Sequence, residues 1–202
     1  MNYLMLNNRR IDLTPEQVAE IEKSYAFNQS KLADIAIGDT FKIGDYEFIV
    51  LEHSKETTAV ILKELLCENE RFGNNNNFSQ SHALILCDKF AQKISSLVGK
   101  DNIIKHTVDL TANDGLKDYG RISCEMSLIT TALYRRYVDI LDTHKIDAWW
   151  WLATARSTPT HSNSVWVECV SPSGYVDRIS SNHSSIGVRP FCILNSNIFV
   201  SK

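Results

Sequence analysis

Hydrophobic positions change their period several times along this chain, and each change marks an element. "DLTPEQVAEIEKSY" places Val18, Ile21 and Tyr25 at helical spacing. Thr14 precedes that helix as its N-cap, Pro15 takes the first helical position, and Gln17 completes a capping box. From Ile37 the period shortens to two. "IGDTFKIGDYEFIVLEH" and "TTAVILKELL" read as a β-meander, with turns at Gly44-Asp45 and near Ser54–Glu56. Helical spacing returns between Ser81 and Leu97, where Leu84, Cys87, Phe90, Ile94 and Leu97 form one stripe. "TALYRRYVDIL" is a third helix, capped by Thr130 or Thr131, with Leu133, Tyr137, Ile140 and Leu141 inward. Short strands surround it: "MSLIT" before, then "WWWLATA", "SVWVECVS", "GYVDRI" and "VRPFCIL". Pro172-Ser173-Gly174 makes the hairpin turn between "SVWVECVS" and "GYVDRI".

Two stretches carry no period. "RFGNNNNFSQS" reads as a flexible polar connection. "GKDNIIKHTVDLTANDGLKDYG" is loop-rich with one or two short extended pieces. Its Asp109–Gly115 segment lacks the alternating carboxylates and closing Glu of a calcium loop, so it reads as an ordinary turn. The sum is an α+β domain over residues 37–202, preceded by a helical extension over residues 1–36. Within it, Trp149, Trp150 and Trp151 cannot all face one side of a strand, because successive side chains alternate.

Composition narrows the functional classes. A chain of 202 residues can bury a sizeable core, and its net charge of −3, without a basic block, argues against general phosphate attraction to nucleic acid. The five cysteines are odd in number, widely spaced and set in apolar runs, which reads as buried free thiols in a reducing compartment. The N-terminus is too polar for a signal segment, and no run reaches membrane-spanning length. The expected location is therefore the cytoplasm or a virion assembled there. None of His53, His82, His106, His144, His161 and His183 falls at a ligand or catalytic spacing. No nucleophile elbow, dinucleotide fingerprint or Walker lysine occurs, so no catalytic residue, metal or cofactor is assigned.

The informative stretch is "RSTPTHSNSVWVECVSPSGYVDRISSNHSSI". Ser, Thr, Asn and His crowd around Trp166 and Tyr175. Polar loops of any β domain have this make-up, and so does a recognition surface in which rigid aromatics supply area and small polar groups adapt.

"IGDTFKIGDYEFIVLEH", the central helix, "MSLIT…LYRRY", "DAWWWLATARSTP" and "SSIGVRPFCIL" together resemble the domain-of-unknown-function family 6273 of bacterial and phage proteins. Its members show W-W-L-R-S-P, a variable polar stretch and then G-V-R-P-A-L. The likeness runs from Ile37 to Leu194, although this chain has Ala-Thr-Ala-Arg-Ser-Thr-Pro in place of Arg-Ser-Pro. The resemblance implies a C-type-lectin-like fold, in which the tryptophan strand and the terminal strand share a small sheet and the stretch between them is the ligand surface. By that resemblance Trp149, Trp150 and Trp151 are scaffold, and Arg189 is a structural arginine held by backbone carbonyls.

The implied function is non-catalytic recognition by a phage- or prophage-encoded protein of a protein or cell-surface ligand, from a host or its envelope. The binding residues would be Arg156, Thr158, His161, Asn163, Trp166, Glu168, Tyr175, Asp177, Arg178, Asn182 and His183. Trp166 and Tyr175 would anchor the ligand, with Arg178 and Glu168 as charged specificity contacts. The stretch 156–186 is also a candidate for retroelement diversification. An alternative keeps the fold and makes the protein an intracellular inhibitor of a host enzyme or defence complex. A formylglycine-generating-type oxidase would need a second cysteine near Cys192, and calcium lectins need E-P-N or Q-P-D with W-N-D; this chain has neither.

Overall fold

Strand alternation accounts for the main sheet. In the computed structural model, which describes residues 3–6, 9–20, 29–161 and 165–202, β4 (Thr40–Ile43), β5 (Tyr46–His53) and β6 (Thr57–Leu62) form the expected meander. Gly44 turns the first hairpin at φ +57, where a side chain would be strained. β5 is buried without a break from Phe48 to Leu51 because both of its faces are covered. Phe48 and Val50 enter one core, Ile49 and Leu51 the other.

On the first side packs helix α1 (His82–Val98), with the Ser81 hydroxyl accepting the Leu84 N–H at 3.0 Å as its cap. Ala83, Cys87, Phe90, Ala91 and Ile94 are its buried residues. Leu97 departs from the expected stripe and is 52% exposed. Four residues after Ile94, the inward place falls to Val98, which packs on that core.

The opposite side is covered by α2 (Thr131–Arg136) and α3 (Val138–Thr143). The sequence reads these as one helix. It breaks at Tyr137 (φ −108°, ψ 14°), whose hydroxyl is drawn to Glu52 at 2.5 Å. Thr130 is the cap, and Tyr134, outside the expected stripe, is buried there with Tyr137 and Leu141.

Among the described residues, the larger sheet has eight strands. Its order is β11 (Met126–Ser127), β16 (Phe191–Asn195), β6, β5, β4, β17 (Phe199–Ser201) and β3 (Gln29–Lys31), with β8 (Ile103–Ile104) also on β16. The smaller sheet orders β14 (Val176–Ser180), β13 (Trp166–Val170), β12 (Trp150–Ala155), β15 (Ile186–Val188) and β7 (Cys67–Glu70). β9 (His106–Asp109) and β10 (Arg121–Cys124) form a separate hairpin.

Four expectations change. "VRPFCIL" is not one strand: it leaves the small sheet at Val188 and enters the large one at Phe191. Pro190 has no N–H for a ladder, and its carbonyl instead accepts the Leu62 N–H at 2.9 Å. "MSLIT" is strand only at Met126 and Ser127. Residues 29–35 belong to the body and not to an extension ending at 36, since β3 pairs with β17 and Leu32 and Ile35 are 0% and 1% exposed. The extension is also not simply helical, because β1 (Tyr3–Leu6) and β2 (Arg9–Asp12) pair in a hairpin before a helical turn at residues 15–20. That turn has its reciprocal capping box, Gln17 N–H to the Thr14 hydroxyl at 3.2 Å and Thr14 N–H to Gln17 at 3.0 Å. Ile21 and Tyr25 lie outside the described residues. Among the described residues, no helix is long and apolar enough to cross a membrane.

The tryptophan run sits where the two cores meet the small sheet. Trp151 is 0% exposed in the core under α1, with its indole N–H on the Glu70 carbonyl at 2.9 Å. Trp150 faces the other way, against Tyr134 at a ring-centroid distance of 5.8 Å. Trp149, half-buried, packs on the same core as Trp151, as alternation requires.

Candidate recognition surface

Arg189 fixes the frame on which this surface stands. It lies at the corner between the sheets, 1% exposed, and donates from Nε to the Leu62 carbonyl and from Nη2 to that of Lys63, both at 2.9 Å. A longer bond reaches the His144 carbonyl at 3.4 Å, and the guanidinium sits 5.2 Å from the Trp150 ring centroid. Burial lowers its pKa to about 10.

A β-bulge shapes the surface itself. Trp151 of β12 pairs with Cys169 of β13, but the next matched pair is Ala155 with Val167. Three residues, Leu152 to Thr154, therefore stand opposite Glu168 alone. Glu168 is 3% exposed, and among the described residues its Oε1 has no hydrogen-bond partner. Arg156 comes within 3.7 Å of that oxygen. Burial pushes the Glu168 carboxyl above its usual range, against the opposing pull of Arg156, Arg178 and Arg135. Trp166, two residues earlier on the same strand face, is 44% exposed.

The loops at the Trp166 end are tied down by residues that the sequence hides. Asn76 is 2% exposed. Its amide donates to the Ser157 carbonyl at 2.9 Å and to the Trp166 carbonyl at 3.2 Å, while its oxygen accepts the Tyr119 hydroxyl at 2.6 Å. "RFGNNNNFSQS" is thus no flexible connection. Phe72 and Phe78 anchor it in the core at 0% and 1% exposure, and Gly73 donates to the Ser181 carbonyl at 3.1 Å. From the turn after β9, Asp118 accepts the Thr158 hydroxyl and Asp114 lies 3.4 Å from His161. Both carboxyls are held below their usual range, Asp114 first by the Ser157 hydroxyl and Asp118 first by that of Thr158.

Not all of the expected contact residues can touch a ligand. Thr158 is 0% exposed and spent on Asp118, and Glu168 is buried, so both act from beneath. Arg156, His161, Asp177, Arg178, Asn182 and His183 are exposed. Ser180 donates to Asn182 at 2.9 Å, and His183 accepts the Ser185 N–H at 3.3 Å, which orders the turn after β14. Asn163 lies outside the described residues. Tyr175 is 74% exposed but sits at the far end of the β13–β14 hairpin. Trp166 pairs with Ser180 and Val170 with Val176, so the two expected anchors are separated by roughly 13 Å of ladder. They do not form one patch.

The five cysteines are free thiols. Burial pushes Cys169 and Cys192 up to about 12 and Cys67 and Cys124 up to about 11, which leaves them protonated at neutral pH. No group of three or more His, Cys, Asp and Glu side chains suited to a metal ion occurs among the described residues. Comparison with protein-family models, with curated proteins and with solved structures gave no match to this chain.

Proposed function

We propose that this chain is a non-catalytic recognition module of C-type-lectin-like architecture, whose binding surface is the Trp166 end of the small sheet. One observation carries this reading. Trp166 is 44% exposed on a hydrogen-bonded strand, beside Arg156 and Arg178, both placed around buried Glu168. An aromatic on rigid backbone, flanked by cations oriented from below, offers contact area at little ordering cost. The architecture draws support from β12 and β15, the tryptophan and G-V-R strands, which lie side by side in the small sheet while the stretch between them supplies the exposed polar side chains. The partner is a protein or cell-surface component of a bacterial host, met by a phage- or prophage-encoded protein.

The test is capture by the tagged chain from bacterial lysate and, separately, from bacterial envelope, with Trp166→Ala and Tyr175→Ala as single variants. Capture lost in Trp166→Ala and retained in Tyr175→Ala is the expected result. A lysate protein would identify an intracellular inhibitor, and an envelope component a receptor-binding module. Capture from neither source, or capture indifferent to Trp166→Ala, overturns the proposal.

A further inference from the structure

Three cations gather on one face of the β13–β14 ladder. Residues two apart on a strand, and residues paired across a ladder, share a face. Trp166 and Glu168 therefore lie on the same side of β13, and Arg178, paired with Glu168, lies there too. Trp166 pairs with Ser180, which makes Arg178 its diagonal neighbour at about 7–8 Å, a distance that long side chains span. Arg156 enters from the end of β12, its guanidinium 3.7 Å from the Glu168 carboxylate. Arg135 comes from α2, and its charge reaches the same carboxylate. Each cation is supplied by a different element.

The two acids of this hairpin do not offset those charges from outside. Glu168 is buried beneath them, beyond the reach of a partner. Asp177 pairs with Cys169 on the opposite face of the ladder, and its carboxylate accepts the Arg178 N–H at 2.8 Å. Arg135, Arg156 and Arg178 are all exposed. Among the described residues none of their guanidiniums donates a hydrogen bond, since the approach of Arg156 to Glu168 is too long for one. The whole chain carries a net charge of −3, so this cluster beside an exposed tryptophan is a local reversal of sign.

We infer that the partner, on the recognition reading above, is a protein presenting an acidic segment, a run of Asp and Glu carboxylates seated on Arg135, Arg156 and Arg178 beside Trp166. A planar guanidinium donates two parallel hydrogen bonds to a carboxylate, and three of them in one place fix the register of such a run. Charges at the rim of an interface also steer the encounter. A nucleic acid strand would need cations that track its backbone beyond the cluster, and the remainder of this chain, more acidic still without these arginines, repels a long polyanion. A short acidic segment ends within the patch.

The experiment is fluorescence-anisotropy titration of a labelled decaglutamate peptide with the full chain, with decalysine and an oligothymidylate of the same length as controls. Arg135→Gln, Arg156→Gln and Arg178→Gln are titrated in parallel, singly and together. Lys89→Gln, at an exposed cation of α1, makes the same charge change elsewhere. In each single variant Glu168 retains two neighbouring cations, so the fold is kept, and circular dichroism checks it. Saturable binding of decaglutamate is expected, weakened roughly tenfold between about 50 mM and about 300 mM salt. Each single arginine variant should weaken it roughly threefold, as the loss of one exposed charge pair, and the triple variant should not saturate. Lys89→Gln should bind as the parent does. No saturation by decaglutamate overturns the inference, as does decalysine binding equally well. Tighter binding of oligothymidylate assigns a nucleic acid and overturns it too. Arginine variants that behave like Lys89→Gln overturn the placement beside Trp166. Decaglutamate is titrated directly, so its failure is separate from failed capture: the first overturns the acidic partner alone, the second the recognition surface itself.

Discussion

Arg189→Met separates two effects that oppose each other at one buried residue. Two short charge-assisted bonds, to Leu62 and Lys63, contribute about 1.5–3 kcal/mol each. The contact with the Trp150 ring adds about 1–2 kcal/mol. Against this stands the burial of the cation, which lowers its pKa from the ordinary guanidinium range to about 10 and so costs on the order of 3 kcal/mol. Methionine removes both sides at once, and the net loss of stability is about 3 kcal/mol. Arg189→Lys is the sharper variant. Lysine keeps a buried charge but lacks the planar fork that meets two carbonyls together, so it should destabilise at least as much as methionine. Guanidinium chloride unfolding followed by tryptophan fluorescence measures both changes. A methionine variant within about 1 kcal/mol of the parent, or a lysine variant close to it, would refute the balance worked out here.

Asn76→Ala should cost about 2–3 kcal/mol, because it orphans the Ser157 carbonyl and the Tyr119 hydroxyl and removes one of two donors to the Trp166 carbonyl, which keeps the Arg156 N–H at 2.9 Å, and chemical denaturation measures it. Limited proteolysis of that variant should show faster cleavage in the loop before Trp166, and an unchanged rate would mean that the tether is irrelevant. Burial lowers the His106 pKa below 6.5, so the native state holds it neutral while the unfolded chain takes up a proton. Stability is therefore lost as pH falls through 6.5, and His106→Asn should flatten that loss in unfolding curves between about pH 7 and about pH 5. Gly187→Ala should destabilise by about 1–3 kcal/mol, since an added Cβ would come within 2.3 Å of the Leu65 side chain; Leu65→Ala in the same chain should recover part of that loss in thermal unfolding.

The proposed recognition surface shows how differently residues disclose themselves. Trp166 and Arg178, both exposed, stand out in the sequence because an aromatic and a cation in a polar stretch are unusual wherever the chain goes. Thr158 and Glu168 belong to the same stretch and read the same way, yet both are buried. Their environment is set by Asp118 and by the bulge of β12, and nothing in their own neighbourhood along the chain records either. Asn76 is the reverse case. Four consecutive asparagines look like a spacer, and one of them holds two loops through partners 43 and 81–90 residues away.

What the sequence determined by itself was local: the meander, the capped helices, the Thr14–Gln17 box, the Pro172–Gly174 turn and the split of the tryptophans between strand faces. Each depends on residues within four or five positions of one another, so spacing alone carries the information. Only the tertiary structure decided that "VRPFCIL" serves two sheets, that Trp166 and Tyr175 stand at opposite ends of a hairpin, and that Glu168 lies buried against a bulge. Those outcomes are set by which strands pair and in what register, and register is fixed by packing between segments far apart in the chain.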